Sequence, residues 1–210
     1  MKTTLIGLGL LACTALAHAT GLDALETFVK SAKSGRAEFT QVVTGPAREG
    51  QAARSKNSSG TFEFVRPNRF RFNYRKPFEQ TIVADGQTLW LYDADLRQVT
   101  SRKQAQVLGQ TPAALIAAAP DLATLRKDFE LQAAPDKDGL QWVVATPKVK
   151  ESQVNTIRVG FRGNDLTVLD ILDGFGQRSV MTFKGMELNA NIGPEVFDFK
   201  PPQNADVIRQ

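Results

Sequence analysis

The sequence contains one cysteine and one histidine, and both fall within its first eighteen residues, as Cys13 and His18. That leader reads as an export signal. Lys2 is its only early charge, Leu5 to Leu16 is mostly apolar, and Ala17-His18-Ala19 has the small-x-small form of a cleavage site. Cleavage there starts the mature chain at Thr20; an alternative cut after Ala17, read from Ala15-Leu16-Ala17, shifts the start by two residues. A mature chain without cysteine or histidine excludes a cysteine nucleophile, a histidine base, a disulfide framework and the usual zinc sites. Leu10-Leu11-Ala12-Cys13 also has a loose likeness to the box preceding a lipid-modified cysteine, which would anchor the protein. A signal of twelve residues is short and Leu11 fits that box poorly, so a cleaved leader is the stronger reading.

Outside the leader, no stretch is long and apolar enough to span a bilayer. There is also no basic run interleaved with stacking aromatics, so nothing points to nucleic acid. Removing 19 of the 210 residues leaves 191, enough for a single domain with a sizeable core. With 26 basic against 22 acidic residues, losing Lys2 leaves a net charge of +3, a balance that solubility explains and that an anionic membrane surface tolerates.

What is present is mostly alternation. Residues 22–34 place Leu22, Leu25, Phe28, Val29 and Ala32 at helical spacing, with Gly35 as a stop. The period then changes to two: Phe62 and Phe64, then Phe70, Phe72 and Tyr74, alternate with polar neighbours, Arg69, Arg71, Asn73 and Arg75 among them. Asp85-Gly86, between two apolar runs, is a hairpin signal. At 111–119, Thr111 suits a cap, Pro112 a first helical position, and Ala113 to Ala119 is almost wholly apolar. Asp121 to Arg126 continues as a further helical turn or two. Strand patterns resume at Phe129–Leu131, Leu140–Ala145, Thr156–Phe161, Leu166–Leu172 and Ser179–Phe183, with turns at Asp138-Gly139, Gly163-Asn164 and Gly174-Phe175-Gly176.

Nine to eleven strands with a few short helices predict a mainly β (α+β) single domain: one strongly curved antiparallel sheet whose concave face the helices cover, with residues 112–119 as plug or lid. The aromatic alternation is either packed core or, because few amphipathic helices are available to cover it, partly a wall kept for a ligand. Asp93, Asp95, Asp170 and Asp173 read as solvated turn carboxylates rather than an acid/base pair. Lys148 to Lys150 and Arg102-Lys103 read as solvated loop charges.

Four segments in order resemble one family: Arg66-Pro67-Asn68-Arg69-Phe70, Val83-Ala84-Asp85-Gly86-Gln87-Thr88-Leu89-Trp90-Leu91-Tyr92, Thr111-Pro112 with Leu115-Ile116, and Phe197-Asp198-Phe199-Lys200-Pro201-Pro202. Each string is generic. Their order and spacing, behind an export signal, resemble the periplasmic outer-membrane lipoprotein carrier family, LolA. The resemblance departs from common members at Arg69, Arg71 and Phe72, and in the small Ala113-Ala114.

The resemblance implies a leader of residues 1–19 followed by a carrier domain of residues 20–210, folded as an unclosed antiparallel β-barrel with a helical lid over an apolar cavity. It implies a soluble periplasmic monomer without catalysis, metal or cofactor. Its cargo would be lipoprotein acyl chains, taken from an ATP-driven exporter of the inner membrane and passed to an outer-membrane receptor. Arg66 would latch a lid helix containing Pro112, Ala113, Leu115 and Ile116. Phe28, Phe62, Phe64, Phe70, Phe72, Trp90 and Tyr92 would form the acyl-chain cavity. The alternatives are a lipid-anchored receptor of the same fold, for which Cys13 would discriminate, and a periplasmic lipid- or peptide-sensing interaction domain. An enzyme ranks third, with no nucleophile to nominate.

Overall fold

The computed structural model describes residues 19–47, 50, 52–107, 121–149 and 152–210. It opens with helix α1 (Gly21–Ser31). Thr20 caps the helix: its backbone N–H and its hydroxyl donate to Asp23 Oδ2 at 2.8 Å, and the Asp23 N–H donates back to Thr20 Oγ1 at 3.4 Å. Ala24, Leu25, Phe28 and Val29, three to four residues apart, form the buried stripe. The helix lies so close to the sheet that a Cβ on Gly21 would sit 2.2 Å from the carbonyl oxygen of Trp142, which is why the first helical residue carries no side chain.

Twelve strands follow: β1 (Ser34–Thr44), β2 (Ser55–Val65), β3 (Arg69–Lys76), β4 (Gln80–Asp85), β5 (Thr88–Asp93), β6 (Gln98–Lys103), β7 (Phe129–Lys137), β8 (Leu140–Pro147), β9 (Val154–Arg162), β10 (Asp165–Asp173), β11 (Arg178–Leu188) and β12 (Asp206–Arg209). Among the described residues two short helices, α2 (Gln104–Val107) and α3 (Leu122–Asp128), lie between β6 and β7. Asp121 caps α3 by accepting from the Thr124 N–H at 2.7 Å, and Leu122 and Leu125 anchor it in the core. All strands join one sheet in the order β12-β6-β5-β4-β3-β2-β1-β11-β10-β9-β8-β7.

Two expectations need correction. The sheet has twelve strands rather than nine to eleven, and it is not wholly antiparallel, because β12 runs parallel to β6. A four-residue edge strand is too short to show a period.

The sheet curls without closing. β6 and β10 stand seven places apart, roughly 33 Å across a flat sheet at ~4.8 Å per strand. Even so, Thr100 of β6 and Leu169 of β10 line one cavity. The ends of the order, β7 and β12, are not paired with each other. At one end of the trough α1 spans the gap, with the Phe28 ring 6.1 Å from Phe64 of β2 and 5.7 Å from Phe161 of β9. Among the described residues no helix is long and apolar enough to cross a membrane.

The convex face is covered too. After β11 the chain forms a 3-10 turn, Pro194–Phe197, and crosses β3 to β6 on the outside. Arg71 donates to the Val196 carbonyl at 3.0 Å, and the Arg69 guanidinium lies 5.7 Å from the centre of the Phe197 ring. Beneath this strap Val83 and Val99 are fully buried.

Candidate functional site

Alternation on β3 sends Phe70, Phe72 and Tyr74 to the concave face, and pairing transmits that parity across the sheet. Phe70 faces Ala84 and Phe72 faces Ile82 on β4; Ile82 then faces Leu91, and Ala84 faces Leu89, on β5. Phe70, Phe72, Tyr74, Ile82, Leu89 and Leu91 line a cavity of about 440 Å³, bounded on the far side by Leu169 and Ile171 of β10 and Met181 of β11. Its polar contributions come from Gln41, Thr100, Arg102 and Gln210. Such a cavity is lined like the interior of a protein yet not filled by it, so it suits an alkyl chain far better than a polar metabolite.

Of the residues expected to form the cavity, Phe70 and Phe72 line it. Phe28, Phe62 and Phe64 are buried in the core beside the cavity, Phe62 and Phe64 on the same concave face, and Phe62 stacks on Phe72 with ring centres 4.4 Å apart. They support the wall rather than form its surface. Trp90 and Tyr92 require correction. Both lie on the convex face, where their rings are 5.6 and 6.2 Å from Phe199, and the cavity-facing residues of β5 are Leu89 and Leu91. The hairpin fixes this parity: Asp85 Oδ1 accepts from the N–H groups of Gln87 and Thr88, and Oδ2 accepts from the Trp90 indole at 2.9 Å. Arg102 was read as a loop charge. It sits instead on β6 opposite Leu89, so its side chain belongs to the cavity wall.

Arg66, which from sequence alone reads as an ordinary strand-end arginine, is placed inside. Its Nε donates to the Ala32 carbonyl at 2.8 Å, at the C-terminus of α1, and its guanidinium lies 5.5 Å from the Phe28 ring centre and 5.6 Å from that of Phe64. Burial pushes its pKa down to about 10, so it stays cationic at neutral pH. The expected lid residues Pro112, Ala113, Leu115 and Ile116 lie outside the described residues. The stretch that contains them leaves from α2 and returns at α3. Buried Gln104 of α2 donates to the Asn68 carbonyl at 2.6 Å and accepts from the Gly86 N–H at 2.9 Å, tying two turns beside Arg66 together.

Three of the four carboxylates considered for acid/base chemistry have structural partners. Asp170 is buried and takes both Nε and Nη2 of Arg178, at 2.9 and 2.8 Å, so it is not the solvated group expected. Asp173 and Asp93 accept backbone N–H groups within their own turns.

Tyr74, at the cavity wall, gives a pH signature. Burial raises its phenol to about 12 from an ordinary 10. A group raised on folding contributes stability that is complete below pH 10 and disappears as pH rises through 12. At ~1.4 kcal/mol per unit the loss is about 2–3 kcal/mol. Denaturant unfolding at pH 9 and pH 12 should show that part of the alkaline loss missing in Tyr74→Phe; identical losses in both proteins would mean that the phenol is hydrated in the folded state.

An unclosed β-barrel around an apolar cavity has the build of a container for hydrophobic chains. Residues 30–200 match the model of the outer membrane lipoprotein carrier protein LolA, and the chain belongs to that family. It is 64% identical over 199 residues to the outer-membrane lipoprotein carrier protein of Albidiferax ferrireducens, covering 93% of each chain. It is 54% identical over 194 residues to that of Methylibium petroleiphilum, covering 92% of each. Among solved structures, a LolA superfamily protein from Nitrosomonas europaea has the same fold, with a TM-score of 0.50 at 14% identity over 87% of this chain and 99% of that one.

Proposed function

We propose that the chain is a periplasmic carrier that accepts lipoproteins released from the inner membrane, shelters their acyl chains in the cavity between β3–β6 and β10–β11, and delivers them to a receptor at the outer membrane. The observation that carries this reading is the apolar cavity itself, in a chain whose close relatives are named as lipoprotein carriers. At ~30 Å³ for a group the size of a water molecule, the 440 Å³ cavity accommodates on the order of fifteen methylene-sized groups, the scale of one long acyl chain. Each methylene kept from water contributes about 0.8 kcal/mol, so an unsheltered chain costs on the order of ten kcal/mol and no lipoprotein crosses an aqueous space without cover.

No bond is made or broken in this reading. The cargo moves because the next site binds it better, first from an ATP-driven exporter to the carrier and then from the carrier to the receptor. Arg66 acts as latch for a lid drawn from residues 112–119, which competes with the bound chain for the apolar wall. Cleavage after Ala19 keeps the capping residue Thr20 in the soluble, monomeric mature protein.

Native mass spectrometry of the protein recovered from the periplasm tests the whole reading. A chain starting near Thr20, with lipoprotein that dissociates on denaturation, is expected. A diacylated Cys13 terminus would make the protein an anchored receptor, and an empty chain held in a stable protein complex would make it a sensor.

A further inference from the structure

The two rims of the curled sheet differ in kind. One rim gathers the turns after β2, β4, β7, β9 and β11, and polar bonds tie it down. Arg66 holds Ala32, Gln104 holds Asn68 and Gly86, Ser34 Oγ donates to the Ala190 carbonyl, and Asn189 Oδ1 accepts from the Lys33 N–H. No large apolar residue is exposed in the described part of those turns. The opposite rim gathers the hairpins β1–β2, β3–β4, β5–β6, β8–β9 and β10–β11, and all but β1–β2 carry one exposed apolar side chain among the described residues: Phe78 at 66%, Leu96 at 67%, Val149 at 67% and Phe175 at 80% exposure. These are the four most exposed large hydrophobic residues in the described chain.

Isolated exposed apolar residues are ordinary, but their confinement to one rim is not. Two of the tips are also held rigidly outward. Asp173 Oδ1 accepts from the N–H groups of Phe175 and Gln177, at 2.9 and 2.8 Å, and Asp93 Oδ1 accepts from the Leu96 N–H at 3.0 Å. A cation lies within three residues of each tip, as Lys76, Arg97, Lys148 and Arg178, with Glu79, Asp95 and Asp173 among them. The cavity wall reaches this rim at Tyr74 and Ile171, two residues from the strand ends Lys76 and Asp173, and reaches the other rim at Phe70, Leu89 and Arg102.

From the β5–β6 tip to the β8–β9 tip the rim runs across eight strand spacings in sheet order, roughly 38 Å along the curved edge at ~4.8 Å per strand. A protein partner buries one contiguous patch. Four separate apolar tips with polar surface between them do not offer one. A lipid layer is the partner that meets a whole rim at once, taking each apolar tip below the headgroups and leaving the flanking cations at their level. We propose that this rim is a membrane-docking edge, through which Phe78, Leu96, Val149 and Phe175 seat the carrier on a bilayer surface at one end of its cavity.

The test is flotation of the periplasmic protein with vesicles of phosphatidylethanolamine and phosphatidylglycerol. The parent should float with them, and a Phe78→Ser/Phe175→Ser variant, with an unchanged melting temperature, should bind on the order of tenfold less or weaker. The cavity variant Leu91→Asp should float like the parent, which separates this inference from the carrier reading. In Phe175→Trp the tip indole should shift to the blue on adding vesicles and be quenched by brominated lipid, a readout independent of the serine variants. A parent that does not float, serine variants that float equally well, or a rim variant that loses only protein-to-protein transfer would each overturn the proposal, the last in favour of a protein interface.

Discussion

Leu91→Asp strips the protein of its acyl cargo and leaves it folded. Leu91 is 37% exposed, and its side chain lies on the cavity wall between Ile82 and Thr100, its partners on the two neighbouring strands. In the empty protein an aspartate there remains hydrated through the cavity, so folding loses little. A bound alkyl chain would remove that water, and even with Arg102 on the same wall as a counter-ion, desolvating the charges against an alkyl chain costs several kcal/mol. Each ~1.4 kcal/mol is tenfold in affinity, so binding should weaken by on the order of a hundredfold or more. Displacement of a fluorescent fatty acyl probe measures the change, and thermal unfolding reports the fold. Leu96→Asp, at a hairpin tip away from the wall, is the control and should bind the probe as the parent does. Equal affinity in Leu91→Asp and the parent would mean that the chain is sheltered elsewhere.

The choice of Leu91 also marks where the sequence stops being readable. On β3 the alternation is clean, because Arg69, Arg71, Asn73 and Arg75 separate Phe70, Phe72 and Tyr74, and the concave face follows directly. On β5 both parities of Thr88-Leu89-Trp90-Leu91-Tyr92 are apolar, since the convex face there is covered by a strap ending in Phe197 and Phe199, about a hundred residues later. Local pattern has no access to that cover, and size favoured Trp90 and Tyr92, the wrong pair. Phe28, Phe62 and Phe64 raise a different limit. Periodicity assigns a side chain to a face, but whether the space in front of it is filled depends on how far the sheet curls and on α1 closing one end. The parallel edge strand β12 escaped for lack of length. Arg66 was legible only through its resemblance to a family motif, since nothing local in Val65-Arg66-Pro67 announces a buried guanidinium.

For Arg66→Leu the expected result is slower hand-on of bound lipoprotein. Two consequences of the substitution have to be separated. Leucine fills apolar space between Phe28 and Phe64 but leaves the Ala32 carbonyl without its charged donor and removes the cation that stacks on both rings, so unfolding should become easier by about 2–3 kcal/mol. That loss alone concerns α1. A latch acts on a different equilibrium, in which the lid and the acyl chain compete for the same wall; removing it weakens the closed empty state and holds the chain longer. Phe28→Leu supplies the comparison, because it loosens the same helix by a similar amount while leaving the guanidinium bond in place. With carrier loaded and receptor in excess, Phe28→Leu should transfer at the parent's rate, whereas Arg66→Leu should transfer roughly tenfold more slowly, the ratio that ~1.4 kcal/mol of lost closure sets. If both variants slow transfer equally, the stability of α1 is the cause; if Arg66→Leu transfers as fast as the parent, Arg66 is a structural clamp and release is governed by another part of the molecule.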